Sequence, residues 1–367
     1  MKKRKRLPQR RYRRMLAKPL AKLLLSGFVK QRVYGLDNFP SKGPYIVAGN
    51  HRGIMEVFLM VAVCPRPMEV LGAGDIPLDP SYRYLADFYG YIPYKRGQMD
   101  RRALMAAEGA LKEGRIVGIF PEGGIWKSGR KSAHRGVAWL SFVTGAPVVP
   151  VGFAGVYRAV ARAIRLEKPY LETWVGKPLP VPERDRSKSR RDQITEHANH
   201  VLDIIETLVP QWDIDEHAAF EDEEYELQIW EGDHNWAGDV DEPELIAEFF
   251  HIPVLIDALY RNLNRKGLWA LRRFGPALPS SDIAHALNVI IGYASYTNPA
   301  FFPYRLGDEK SERLLAGLKS FRDLCENLSR DGKGQETRLS IVPIHRYRVH
   351  GDPEIHVLRE PPPIERF

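Results

Sequence analysis

The chain has 367 residues, 44% of them hydrophobic and 27% charged, which excludes a chain disordered throughout and leaves room for one large domain or two smaller ones. Its net charge of +8 is uneven: residues 1–210 hold 37 Lys and Arg against 18 Asp and Glu, whereas residues 211–367 hold 17 against 28. A strongly basic half implies an anionic partner, either nucleic acid or an anionic membrane surface with phosphorylated lipid. The two cysteines, Cys64 and Cys325, are far apart, which argues against a disulfide framework or a Cys-based zinc site and for a reducing compartment.

A basic arm opens the chain, with nine cations among the first fourteen residues. No small-residue cleavage site follows it, so secretion is not predicted. No stretch approaches the roughly 18–20 uninterrupted apolar residues of a spanning helix. Residues 14–30 instead fit a helix lying on a bilayer: Leu16, Leu20, Leu23, Leu24 and Phe28 recur at helical spacing, with Arg14, Lys18 and Lys22 on another face. Pro19 starts or kinks that helix. The plainer alternative packs the same helix on the protein's own core behind the basic arm.

From Tyr34 onward, short apolar runs alternate with helical patterns, the signal of an α/β domain with a parallel or mixed sheet. Strands are predicted at 45–48, 69–73, 91–94, 116–120 and 148–153, with a last one at 171–175. Helices are predicted at 55–63, at 100–112 with Asp100 as N-cap, at 136–144 and at 191–208. Between Asp213 and Glu244 there are fourteen acidic residues and no Lys or Arg, which reads as a linker or an acidic surface element and sets a domain boundary near Pro210. Beyond it, 243–265, 282–296 and 309–329 read as helices and 339–349 as a strand, with no internal repeat and no catalytic motif.

The most informative run is Ile46-Val47-Ala48-Gly49-Asn50-His51-Arg52-Gly53-Ile54-Met55-Glu56. A strand ends, His51 follows at its tip, and a carboxylate sits five positions later. Within one helix five residues turn about 140° around the axis, so the pair cannot meet there. With His51 in the strand-to-helix turn and Glu56 in the first helical turns, they can. That arrangement suits a general base whose second nitrogen is held by a carboxylate. Taken alone it also fits a structural histidine.

Three further segments extend the pattern. In Gly90-Tyr91-Ile92-Pro93-Tyr94-Lys95-Arg96-Gly97, two cations sit where a strand runs into a loop, a good place to grip a phosphate. Phe120-Pro121-Glu122-Gly123-Gly124 ends a strand with a carboxylate and with glycines that let a substrate approach the backbone. Ala146-Pro147-Val148-Val149-Pro150-Val151-Gly152 is an apolar strand whose prolines break its ladder, suited to the wall of an acyl pocket.

Together these segments resemble the glycerolipid acyltransferase family typified by 1-acylglycerol-3-phosphate (lysophosphatidate) acyltransferases. That family's blocks are Asn-His-x-x-x-x-Asp, a Gly-x-x-Phe-x-x-Arg-like segment, Phe-Pro-Glu-Gly-Thr-Arg-Ser and Val-x-Pro-Val. They correspond in order and comparable spacing to 50–56, 90–96, 120–128 and 148–151, and the resemblance covers about residues 33–180. Glu56 stands where the family has Asp, longer by one carbon–carbon bond of about 1.5 Å. Gly124-Ile125-Trp126 stands in place of Thr-Arg-Ser, with Lys127 and Arg130 close behind as substitute phosphate ligands.

The resemblance implies an α/β fold with a glycerolipid acyltransferase-like mixed sheet flanked by helices, followed by a mainly helical C-terminal extension. It makes His51 the base and Glu56 its orienting carboxylate, Arg96 a ligand of the acceptor phosphate, Glu122 and Gly123 headgroup contacts, and Val149 and Pro150 neighbours of the acyl chain. Asn50 and Gly124 join the substrate-binding set as members of the same blocks, and Lys95 is added on its charge. The expected activity is transfer of an acyl group from acyl-CoA or acyl-carrier protein to a lysophospholipid, lysophosphatidate first. No metal or further cofactor is expected, since thioesters react without one and no His/Asp/Glu cluster has metal spacing.

The expected organisation is a basic amphipathic membrane-associating arm (1–32), the acyltransferase domain (33–210), and an acidic linker with a C-terminal α+β domain (211–367). The expected location is cytoplasmic, attached peripherally to the inner face of the membrane. Two rival readings are a non-catalytic lipid-binding protein on the same scaffold and a nucleic-acid-binding protein. The second has no recognisable reading motif to support it.

Overall fold

The computed structural model describes residues 11–74, 80–95, 100–124, 133–156, 159–164, 166–215, 224–250, 279–335, 337–347 and 356–359. The chain divides into two compact units, Met1–Gly74 with Leu85–His217, and Asp75–Tyr84 with Ala218–Phe367. The division falls after His217, later than the sequence boundary at Pro210.

The first unit is built on a seven-stranded sheet. Its strands in chain order are β1 (Lys30–Tyr34), β2 (Tyr45–Gly49), β3 (Met68–Ala73), β4 (Ile92–Tyr94), β5 (Ile116–Ile119), β6 (Val148–Ala154) and β7 (Tyr170–Val175). The spatial order is β1-β7-β6-β2-β5-β3-β4. Every pairing is parallel except β6 with β7, so the sheet is mixed and mostly parallel. Strands β2, β5 and β6 are buried along their whole length, as central parallel strands must be when helices cover both faces.

The helices are α1 (Arg11–Phe28), α2 (Met55–Val63), α3 (Pro80–Tyr89, of which Pro80–Tyr84 fall in the second unit), α4 (Arg101–Lys112), α5 (Gly136–Thr144), α6 (Ala159–Ile164) and α7 (Arg190–Leu208). The two-residue side-chain period of a strand sorts the core into two layers. Tyr45 and Val47 of β2 pack with Leu25 of α1 and Leu59 of α2. Ile46 and Ala48 face the other way, toward Ala107 of α4, Leu140 of α5 and Ile205 of α7. Asp100 caps α4 as its position predicts, accepting from the backbone of Arg102 and Ala103 at 3.0 and 3.1 Å.

Helix α1 meets the body with cations rather than with its leucine stripe, unlike the alternative that packs its apolar face on the core. Arg14 is buried, ion-paired to Glu69 of β3, and donates to the carbonyls of Tyr89 and Gly90 at 3.2 and 2.7 Å. Lys18 donates to the carbonyl of Pro65 at 2.7 Å. Two of the three cations expected on the face away from the leucines therefore hold the helix to the protein. Three of its leucines point outward, Leu16, Leu20 and Leu23 being 66%, 47% and 69% exposed, while Leu25 is buried. The Leu24 side chain lies outside the described residues. No described helix is long and apolar enough to cross a membrane.

The second unit contains a four-stranded antiparallel sheet of β8 (Glu224–Glu231), β9 (His234–Asn235), β10 (Thr337–Tyr347) and β11 (His356–Arg359), in the order β11-β10-β8-β9. Its helices are α8 (Pro243–Phe250), α9 (Ser280–Gly292), α10 (Phe301–Leu306) and α11 (Asp308–Arg330). Leu227 and Ile229 of β8 join Ile246, Leu287, Leu314 and Phe321 in a separate core. Part of the acidic run read as a linker or an acidic surface element is thus a strand, paired with β10 from Glu224↔Ile344 to Glu231↔Thr337. The expected helix over 243–265 is present to Phe250, and the rest of it lies outside the described residues.

Candidate active site at the end of β2

Strand β2 delivers Asn50 and His51 into the turn that leads to α2. Asn50 is 4% exposed, and both ends of its amide are taken by one residue of the neighbouring strand: Nδ2 donates to the carbonyl of Phe153 at 2.9 Å, and Oδ1 accepts from the Phe153 N–H at 2.7 Å. Asn50 was expected to bind substrate. The structure gives it the task of fastening the end of β2 to β6.

His51 is half-buried, and its imidazole stacks on the Phe120 ring with centroids 4.3 Å apart at 19°. Its backbone N–H donates to Glu122 Oε1 at 2.9 Å. Glu122 lies in the Pro121–Gly124 turn, where Gly123 takes φ +72° and donates its N–H to the carbonyl of Phe120 at 3.1 Å, a conformation that favours glycine. Glu122, expected as a headgroup contact, here anchors the histidine's main chain. Burial pushes its carboxyl up to about 7, while the His51 N–H and the Arg52 charge pull it down. Gly124 is buried.

Glu56 is fully buried on the first turn of α2. Its Oε1 accepts from the backbone N–H of Arg52 and from that of Gly53, the latter at 2.7 Å. The carboxyl therefore holds the turn that carries His51. Its Oε2 is buried with no hydrogen-bond partner. Burial pushes Glu56 up to about 8, against the pull of the Arg52 and Gly53 N–H groups. Two carboxyls with raised pKa values thus flank one histidine turn, an arrangement suited to proton transfer near neutral pH.

Asp213 is a member of this site that sequence reasoning missed. It lies in the helical turn 211–215 and is 4% exposed. Oδ1 accepts from the Gly155 N–H at 2.6 Å, and Oδ2 is ion-paired with Arg52. Burial raises its pKa, opposed by Gly155 and Arg52. Nothing in its spacing marks it, because it opens the acidic run and meets Arg52 only in the folded chain.

The remaining predicted residues are spread more widely. Val149 is fully buried among the α1 and α2 side chains. Pro150, the next residue along β6, faces the other layer, where a Cβ built on Gly176 would lie 2.8 Å from its Cγ. The pair therefore points to opposite faces of the sheet and does not form one pocket wall. Lys95 is exposed at the end of β4, and its N–H donates to Asp100 Oδ2 at 3.1 Å, so Asp100 closes both ends of the loop. Arg96, Lys127 and Arg130 lie outside the described residues. Among the described residues no cluster of His, Cys, Asp and Glu could hold a metal ion.

Residues 30–154 match the family described as Acyltransferase. The chain is similar to a 1-acyl-sn-glycerol-3-phosphate acyltransferase of Borreliella burgdorferi, 29% identical over 134 residues that span 35% of this chain and 52% of that protein. The chain thus spans about half the length of that relative. Another enzyme of the same name, from Bacillus subtilis, is 26% identical over 195 residues, 52% of this chain and 94% of its own. Among solved structures, the 1-acyl-sn-glycerophosphate acyltransferase PlsC of Thermotoga maritima is 20% identical, covering 53% of this chain and 80% of its own, with a TM-score of 0.41. The acyltransferase likeness of the chain is thus carried by residues 30–154, which hold His51 at the tip of a buried central strand and the four blocks in order.

Proposed function

We propose that the protein is an O-acyltransferase that passes an acyl group from a thioester, acyl-CoA or acyl-carrier protein, to the free hydroxyl of a lysophospholipid, with lysophosphatidate as its acceptor. The observation that carries this reading is the buried Glu56 carboxyl beneath the His51 turn, with Oε1 on the backbone and Oε2 without a partner. His51 takes the hydroxyl proton as the acceptor oxygen attacks the thioester carbonyl. The C–O bond forms, the C–S bond breaks, and the imidazolium returns its proton to the departing thiolate. Glu56 Oε2 is the acceptor for the second imidazole nitrogen when positive charge develops there. A labelled acyl thioester offered with a panel of lysolipids tests the activity. Lipid binding without turnover would favour the non-catalytic rival.

Lys95 and Arg96 follow β4, and Arg96 is the proposed phosphate ligand. Arg96→Ala is expected to cost about 1.5–3 kcal/mol in kcat/KM for lysolipids that bear a phosphate, and far less for a neutral acceptor. Equal losses for the two acceptors would reduce Arg96 to a structural cation.

The reaction is proposed to run on an anionic membrane surface, at the cytoplasmic face, with the outward side of α1 as the seat. Leu16, Leu20 and Leu23 are exposed there beside the exposed cations Arg13 and Lys22. An apolar stripe next to cations is the chemistry of an interfacial helix. Replacing Leu16, Leu20 and Leu23 together by Gln is expected to lower binding to anionic vesicles by on the order of 100-fold, at on the order of 1 kcal/mol for each inserted side chain. Vesicle flotation unchanged in that variant would rule out α1 as the seat.

A further inference from the structure

Three attachments fix the turn that carries His51. Glu122 Oε1 holds the His51 N–H, and Glu56 Oε1 holds the Arg52 and Gly53 N–H groups. The third is made by a side chain: the Arg52 guanidinium is ion-paired with Asp213. Asp213 is aimed by its second oxygen, which accepts from the Gly155 N–H just beyond the end of β6. Gly155 has φ +73°, and a Cβ built there would lie 2.2 Å from the carbonyl oxygen of Tyr170, so only glycine fits at this position. Trp212, beside Asp213, packs its ring near Tyr170 with centroids 6.2 Å apart. Asp213 is therefore a buried carboxyl held on two sides and pointed at the residue next to the base.

We infer that Asp213 is a positioning residue for the acyl transfer proposed above, acting through Arg52 to keep the His51 turn in register with β6. The physical reason is competition between carboxyls for one cation. Glu122 feels the Arg52 charge, and Glu122 Oε1 is also the acceptor of the His51 N–H. With Asp213 ionised, Arg52 is held on the Gly155 side. Without that charge, Glu122 still attracts Arg52, and a guanidinium drawn there competes with the His51 N–H for the same oxygen. The backbone of the base then shifts, and a displacement of about 1 Å at a reacting group is enough to slow a reaction by up to about a hundredfold.

The test uses the full chain and a double-mutant cycle of Asp213→Asn and Arg52→Gln, with kcat and KM measured for acyl thioester and lysophosphatidate. Asn retains an oxygen for the Gly155 N–H and removes only the charge, so Asp213→Asn is expected to lower kcat about tenfold with both KM values within about twofold. Arg52→Gln should do the same without touching Gly155, which keeps the test open should the Asn variant fold poorly. The double variant should be no slower than the worse single, because both act through one contact. Asp213→Glu, which restores the charge, should recover part of the rate. Losses that multiply in the double variant, or a wild-type kcat in Asp213→Asn, would overturn the inference.

A separate readout distinguishes this inference from the acyl-transfer reading itself. Modification of His51 by diethylpyrocarbonate, followed by mass spectrometry, reports the imidazole's environment without turnover. An altered rate at His51 in both single variants supports Asp213 as its positioner. An unchanged rate counts against it, whatever the assay with lysolipids returns. Absence of turnover in the unmodified protein would sink only the acyl-transfer reading.

Discussion

His51→Ala is expected to lower turnover by about 10²–10⁴-fold, the usual range for removing a general base, while leaving the fold and vesicle binding in place. The side chain is half-buried, and its ring contact is one face of Phe120. The groups that hold the turn are bonded to main chain: Glu122 to the His51 N–H, and Glu56 to the N–H groups of the next two residues. Alanine keeps every one of those N–H groups. A single-turnover assay with labelled acyl thioester, read beside thermal unfolding and flotation, separates loss of chemistry from loss of structure. An Ala variant that turns over at the wild-type rate would remove His51 from the mechanism.

Glu56→Gln should make the protein slower and, at alkaline pH, more stable. In the folded chain burial raises the carboxyl from 4.5 to about 8, whereas in the unfolded chain it titrates near its ordinary value. The folded state therefore binds the proton more tightly. The stability contributed by that proton is full below about 4.5 and is lost as pH rises through about 8. Gln is neutral throughout, so the melting temperature of wild type should fall relative to Glu56→Gln between pH 5 and 8. A linkage of on the order of a few kcal/mol corresponds to several degrees in a protein of this size.

The kinetic expectation follows from the same protonation state. Near neutral pH the resting Glu56 is largely uncharged, and the Gln carbonyl can accept from Arg52 and Gly53 as the acid does. What Gln removes is the carboxylate charge that Oε2 can set against the second imidazole nitrogen when His51 gains the acceptor's proton. The loss should therefore fall on kcat, by about tenfold or more, with little change in KM. Glu56→Asp, drawn back by about 1.5 Å, should instead loosen the turn by releasing the two N–H groups. A Gln variant with undiminished kcat, or a melting-temperature difference that stays flat from pH 5 to 9, would refute the role proposed for this carboxyl.

Much of the first unit was legible because its signals are local. The apolar runs of β2, β5 and β6 are unbroken since both faces are covered, and Asp100 announces α4 by the chemistry of an N-cap. β1 escaped notice because Lys30-Gln31-Arg32-Val33-Tyr34 is a polar edge strand, held by its register with β7 rather than by its own pattern. The strand β8 was hidden by charge. In Glu226-Leu227-Gln228-Ile229-Trp230, Leu227 and Ile229 are buried and the others half-buried, so the two-residue period is present beneath an acidity that reads as linker.

At the site, the residues legible in sequence were those that share a block with His51. Partnerships between blocks were not. Asn50 meets Phe153, Glu122 meets the His51 main chain, and Asp213 meets Arg52 across 161 positions. Such contacts depend on strand order, which places β6 and β5 on either side of β2, and no single-chain spacing encodes it.

The seating of α1 bears on how the proposed membrane attachment could be removed without harm to the fold. Trimming the N-terminal helix would remove its exposed leucines, but it would also take away Arg14, which shares Glu69 Oε1 with Arg115. Glu69 would keep Arg115 but lose the more buried of its two cations, and the carbonyls of Tyr89 and Gly90 lose a donor with it. The helix is at once the greasy surface and a bolt through the frame. Detachment is therefore better sought by repainting its outer side chains than by cutting it away.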